Sequence, residues 1–541
     1  MAGEPGQLGR TLGLWEGFAD SLERNARTVA AIILLLIFVT AWGQSSRKFL
    51  WYDELVTLKT ASMPHWSDTW AFYANGLDTT GPVQSLVARV GLMLPIGPEL
   101  GSRLPFTFAY LVMCLCVYRF VHRRYPAGFA LATMIYFLNS AIFTFATVAR
   151  SYALVLAGAS IAMFSWQSVM LNRRRALSVA GLWFGLAFAF VAHPFAIFLF
   201  IPFALAQLLH DLRRRKLDWA IWISLISFPA AYLPLLHGEL MATTRFHTNF
   251  TSQPNFRSIL TPYPEFFFSW QTLPVVLLLT ATLGFLAVRQ GWTSPSGEET
   301  RGFSSSEWVL VYLLALLPFY VGPASFLFGV FAPRYVTCCM IGLVILSVAA
   351  VAQITQRSRY AGAVLFVLFL LVATHHRLNS FAVGLHALAH PGRIHQELQA
   401  RYNSQPWMKL LEESELPLVA DCHMAYDPID FYADSGVKHR LMAVTNFRNL
   451  SEYPNTTTGQ IIFLDASKEL SYRTSDISDF LKAHRHFLLI GGFPEHVWMP
   501  RYLSAEQSLG NASVSCLGPD CADFGITIYD VQFGKGRMGA E

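Results

Sequence analysis

The chain has 541 residues, 53% of them hydrophobic and only 14% charged, with a mean hydropathy of +0.39. Soluble domains carry about 25% charged residues, so this composition excludes an ordinary soluble protein and places the chain among polytopic membrane proteins. The net charge of +5 is modest, and seven cysteines are too few for a disulfide scaffold.

Residues 1–27 are polar and mixed in charge and read as a cytoplasmic tail with an interfacial helix. The first apolar run, 28–44, lacks a small-residue cleavage site and reads as an uncleaved first span. A long outer loop, 45–102, follows and carries Trp51-Tyr52-Asp53-Glu54. Within it, 79–97 is apolar but holds Pro82, Gln84, Arg89 and Pro95. A crossing there would turn every later loop inside out, so it reads as an amphipathic segment on the outer surface.

Ten further spans are expected at 103–121, 127–147, 151–170, 177–193, 195–210, 218–236, 271–288, 308–328, 336–355 and 360–374. That makes about 11 transmembrane helices, with a bend at His193-Pro194. Arg119, Arg123 and Arg124, then Arg173 to Arg175, then Arg213 to Lys216, then Arg289, Arg301, Arg357 and Arg359 fall in alternate connections. The other connections hold only Arg150, Arg245, Arg257 and Arg334. The basic side should be cytoplasmic, with the N-terminus inside and the C-terminus outside.

From 376 to 541 the chain is polar and alternates strand-like runs (LPLVADCH, QIIFLDA, HFLLIGG, ITIYDVQF) with the helix-like DISDFLKAHR. An extracytoplasmic α/β domain is expected. Cys516 and Cys521 flank a Gly-Pro turn and could close a short disulfide in an oxidising compartment. Asn249, Asn455 and Asn511 begin N-x-S/T runs, which would be glycosylation acceptors in a eukaryotic lumen.

Asp53 and Glu54 are the leading candidates for chemistry. One division makes Asp53 a general base on an acceptor hydroxyl and pairs Glu54 with a cation. The alternative is a solvated pair beside an aromatic interfacial anchor. Arg150, in ARSYAL, interrupts an apolar stretch and needs an anionic partner, either Glu54 or a phosphate; Tyr152 could add a hydroxyl. Arg334 and Tyr335, in FAPRYV, stand at an outer helix start after a break at Gly322-Pro323, where a guanidinium and helix N–H groups suit a phosphate. For both arginines the competing reading is contact with lipid headgroups. Arg103 is a weaker phosphate candidate, and His193 reads first as a structural hydrogen-bonder. His375 and His376 mark the exit of the last span, but one pair is a weak case for a metal. No zinc spacing, phosphate-cradling loop, dinucleotide fingerprint or Asp-x-Asp occurs.

The order of first span, aromatic-flanked Asp-Glu, TTGP, SRLP, ARSYAL, HPF and PRY resembles the C-type (GT-C) glycosyltransferases. Within them it is similar to the protein O-mannosyltransferase and aminoarabinose transferase group, over about residues 28–375. The resemblance implies a GT-C-like transmembrane domain that uses a polyprenyl-phosphate sugar. It also implies that Asp53 is the base, that Glu54 pairs with Arg150, and that Arg334 reaches the donor phosphate. The group often has His-Pro-Pro near the TTGP position, where this chain has Thr80-Gly81-Pro82-Val83, which leaves the acceptor type open.

The expected partners are a polyprenyl-phosphate sugar, an extracytoplasmic acceptor and the bilayer, and not nucleic acid. No cofactor is assigned with certainty, and assistance by a divalent metal is left open. The expected location is a bacterial inner membrane, or the endoplasmic reticulum if the source is eukaryotic. Two other classes compete: a flippase for lipid-linked saccharides, which would usually show a repeated half, and a non-catalytic membrane scaffold.

Overall fold

The computed structural model describes residues 5–78, 81–246, 254–267, 302–446, 457–467, 469–491, 498–517 and 527–534, with 278 and 282. Among them, seven helices are long and apolar enough to cross a bilayer: Ala26–Ser45, Pro98–His122, Tyr152–Met170, Arg175–Ala192, Pro194–Arg214, Trp219–Thr244 and Arg359–Ala389. Two more expected spans are bent pairs. Ala127–Asn139 meets Ala141–Thr147 at 74°, and Ser305–Ala315 meets Leu317–Leu327 at 49°. Cys339–Ile354 is apolar, but its 16 residues rise about 24 Å against the roughly 30 Å of a hydrocarbon core. The span expected at 271–288 lies outside the described residues, apart from two isolated positions. Seven to nine spans are therefore present among the described residues, where about 11 were expected.

The segment read as lying along the outer surface contains the ten-residue helix Val83–Leu92, which is too short to span and agrees with that reading. Several boundaries differ from expectation. The tail is a 20-residue helix, Pro5–Arg24, that passes almost directly into the first span. The last span does not end at 374; its helix runs 31 residues to Ala389, so His375 and His376 lie inside it. The chain does not break at Gly322-Pro323, which sits within a helix. The breaks come at Leu316 and at Gly329, whose φ of 70° is the left-handed cap glycine accepts readily.

The chain divides into two compact units. The first comprises Met1–Ser46, Arg103–Leu235 and Pro254–His390. Here helices pack through small residues, as apolar helices in lipid do. A Cβ on Gly43 would lie 1.9 Å from the Ser380 carbonyl oxygen, and one on Gly384 would lie 2.0 Å from that of Val39. Arg124 pairs with buried Glu307 at 2.9 Å, and Gln167 donates to the same carboxylate at 2.7 Å. Arg359 pairs with Asp20 at 2.8 Å, joining the N-terminal helix to the last span.

The second unit comprises Arg47–Ser102, Leu236–Gln253 and Pro391–Glu541. The loop bearing the acidic pair thus clusters with the C-terminal sheet. That sheet has strands β1 (Leu418–Ala420), β2 (Leu441–Thr445), β3 (Thr474–Asp476), β4 (His486–Gly491), β5 (Ala512–Cys516) and β6 (Thr527–Phe533). Their order is β3-β2-β1-β4-β6-β5. The first four run parallel, with Ala420 beside both Ala443 and Ile490, and β6 is antiparallel to β4 and β5. Val419, Val444, Phe487, Leu489 and Val531 bury one face against the helices Ile477–Ala483 and Met499–Ser508.

The expected strand QIIFLDA is instead part of the helix Thr457–Asp465. Periodicity cannot separate strand from helix in so short an apolar run. In the helix, Gln460 accepts from the Asn446 amide at 2.7 Å and Phe463 packs edge-on to Tyr426 and Tyr472. Strands β2, β3 and β5 were not read from the sequence: β3 has three polar residues, and β5 is a largely polar edge strand. The disulfide partner Cys521 and the runs at Asn249 and Asn455 fall, wholly or in part, outside the described residues.

Candidate active site

In the second unit the organising element is the helix Tyr52–Ala61. Trp51 precedes it in extended conformation, and its amide donates to the Glu54 Oε2 at 3.0 Å. Glu54 is therefore buried, with one oxygen fixing the helix start, where a carboxylate also suits the helix dipole. Asp53, one residue earlier, is only partly buried, which leaves it the better placed of the two to meet a substrate.

This helix packs on His423–Tyr432, which follows β1. The Tyr52 ring meets the His423 ring edge-on at 5.3 Å. Two turns along, Lys59 Nζ bonds Asp427 Oδ1 at 2.7 Å and Asp430 Oδ2 at 3.0 Å. Tyr472 donates to the other Asp427 oxygen at 3.2 Å. Burial pulls the Lys59 pKa down, but Asp427 and Asp430 more than offset it and leave it raised, so the ion pair persists through neutral pH. Burial pushes His423 down and Lys59 adds to this, against Asp427 and Asp53; its imidazole is neutral at pH 7.

None of Lys59, His423 and Asp427 was singled out from the sequence. The usable signal was the i, i+4 spacing of His423 and Asp427, which puts both on one helix face. Their meeting with Lys59 depends on a chain reversal that no local pattern encodes.

In the first unit a second cluster forms around His193. It ends the helix Arg175–Ala192 in extended conformation, and its Nδ1 accepts from the Phe195 amide at 3.3 Å. The Tyr335 ring lies 4.8 Å from it and the Tyr152 ring 5.9 Å. Both Arg150 and Arg334 are close enough to act on the imidazole electrostatically. Arg334 is exposed on the four-residue turn Pro333–Val336, which precedes the helix Cys339–Ile354 and is not its first turn. Arg334 also acts electrostatically on the exposed Glu265, a residue sequence reasoning passed over. Five candidates read separately from the sequence therefore gather here: Arg150, Tyr152, His193, Arg334 and Tyr335.

Arg103 is buried and donates to the Ser45 carbonyl at 2.8 Å, tying its helix to the end of the first span. His375 and His376 stand ring to ring at 4.9 Å. Among the described residues, no three His, Cys, Asp or Glu side chains gather as a metal site.

No protein-family description and no curated protein sequence matches the chain. Solved structures do. ArnT from Cupriavidus metallidurans bound to undecaprenyl phosphate aligns over 93% of this chain and 97% of its own, with a TM-score of 0.50 at 14% identity. The apo state of the same protein aligns over 93% and 98%, again with a TM-score of 0.50 at 14% identity. The chain shares its fold with ArnT. The expected architecture of apolar spanning helices with a C-terminal α/β region is thus shared with ArnT, and the likeness takes in the sheet-bearing region that no motif had matched. With so few identities shared with ArnT, side-chain roles rest on the clusters described above.

Proposed function

We propose that the chain is an integral-membrane glycosyltransferase that moves one sugar from a polyprenyl-phosphate carrier to an acceptor outside the cytoplasm. The carrying observation is the gathering of Arg150 and Arg334, distant in sequence, around His193 and two tyrosines. Two guanidinium groups beside one histidine suit a phosphate anion, which arginine grips through paired N–H donors. The ArnT structure holding undecaprenyl phosphate supports a lipid-phosphate donor. Such a donor also solves delivery on a face with no nucleotide sugars.

Transfer needs a base and a phosphate grip, and Asp53 and the two arginines are the residues suited to these roles. The acceptor oxygen attacks the anomeric carbon and its proton passes to the Asp53 carboxylate. The bond from the anomeric carbon to the phosphate oxygen breaks, and its electron pair leaves with the polyprenyl phosphate. The phosphate gains one negative charge in this step, so Arg334 and Arg150 stabilise the transition state more than the bound donor. Arg103, engaged with Ser45, is the least suited of the three arginines. A single displacement inverts the anomeric configuration.

The test is a panel of undecaprenyl-phosphate hexoses and aminopentoses. Each is incubated with purified protein and one of three acceptors: a serine- and threonine-containing peptide, an alkyl glycoside or a phosphoglycolipid. Mass spectrometry should find one acceptor heavier by one sugar. Movement of lipid-linked sugar across vesicles without a covalent product would contradict the proposal and favour a flippase.

A further inference from the structure

We propose that His423 of the sheet domain holds the acceptor against Asp53, so that the C-terminal region is the acceptor-recognising part of the enzyme. The inference rests on the transferase reading above and assigns the half of the reaction that reading leaves open.

Four observations within the second unit carry it. Strand β1 has β2 on one side and β4 on the other, and the chain runs from β1 through β2 and β3 before returning to β4. Parallel sheets bind ligands outside the carboxyl ends of strands flanking such a reversal, and His423 lies three residues beyond Ala420, just past the carboxyl end of β1. The Tyr52 ring packs edge-on against the His423 ring, and the neighbouring Asp53 acts on it electrostatically. His423 is about nine-tenths buried, and its Nδ1 is enclosed with no hydrogen-bond partner among the described residues. A buried polar atom left this way is costly, and an acceptor hydroxyl beside Asp53 would satisfy it. Finally, the Lys59–Asp427 pair and the Tyr472 hydroxyl lock the two helices together, which fixes the His423–Asp53 geometry before substrate arrives.

The chemistry suits a hydroxyl nucleophile. A neutral imidazole offers one lone pair and one N–H, so it can orient an O–H group without competing with Asp53 for its proton. A tyrosine ring beside it gives a flat apolar wall of the kind that covers a sugar or an alkyl chain.

The experiment measures steady-state kinetics of the full chain and two variants, His423→Ala and His423→Asn, with the peptide, the alkyl glycoside and the phosphoglycolipid. Asn keeps a hydrogen-bonding atom close to the Nδ1 position. The expected result is an acceptor KM raised about tenfold in the Ala variant, largely restored in the Asn variant, with the donor KM and thermal unfolding unchanged. Unchanged acceptor KM, or equal loss toward donor and acceptor, overturns the assignment. Loss of folding in the Ala variant leaves the Asn variant to decide: an acceptor KM raised about as much as total loss of the contact overturns it. Absence of product from the unmodified enzyme with all three acceptors instead overturns the transferase reading beneath it.

Discussion

Beside His423, Asp421 is buried at the end of β1, and among the described residues neither carboxylate oxygen finds a well-formed hydrogen bond. Burial pushes its pKa up to about 8, with the Cys422 thiol and amide opposing weakly. Between about pH 4 and 8 the folded chain keeps a proton that the unfolded chain has lost. Its contribution to stability therefore falls as pH rises through that window, by at most about 1.4 kcal/mol per unit. Asp421→Asn should unfold at a higher temperature than the unmodified protein at pH 8 and at nearly the same temperature at pH 4. Scanning calorimetry in detergent at both pH values checks this. Lys59 makes the opposite case. Lys59→Met leaves Asp427 buried without its cation, and should destabilise the second unit by about 3–5 kcal/mol, read as lost amide-exchange protection in Tyr52–Ala61 and His423–Tyr432. The acidic pair was legible in the sequence because two carboxylates among aromatics at a membrane surface ask for a reason. Lys59, Asp427 and His423 were not, because each is ordinary alone and significant only where two distant helices meet.

Helices carried most of the legible information. A run of about 20 apolar residues can do little but span, and the first span and its neighbours follow. What the pattern hid was bending. Ala127–Asn139 and Ala141–Thr147 read as one apolar stretch, yet Ser140 is extended and the pair turns by 74°. Strands were less legible, since runs of three to five residues carry too few periods, and QIIFLDA satisfied either reading. The contact between Ala26–Ser45 and Arg359–Ala389 gives a prediction of its own. Gly384→Ala places a methyl group 2.0 Å from a backbone carbonyl that cannot rotate away. Overpacking of this kind costs about 1–3 kcal/mol. The variant should lose several degrees in thermal unfolding, whereas substitution of Gly436, with open space around it, should change nothing.

For the whole molecule, the proposed transfer asks for a phosphate grip and a base, and each compact unit can be described by the candidates it holds. One gathers arginines and a histidine suited to a phosphate, and the other holds the carboxylate and the sheet. Arg334→Lys keeps the charge but not the paired donors, so donor KM should rise about tenfold, and Arg334→Ala should cost about a further tenfold in kcat. The fold class was readable from composition and motif order. The union of the loop carrying Asp53 with the C-terminal sheet was not, because nothing local links residues so far apart in the chain. The most direct measurement is single-turnover transfer from undecaprenyl-phosphate sugar by Asp53→Asn, with donor binding measured alongside. The account predicts a rate lowered at least about a hundredfold with donor affinity and folding intact; full turnover by that variant would contradict it.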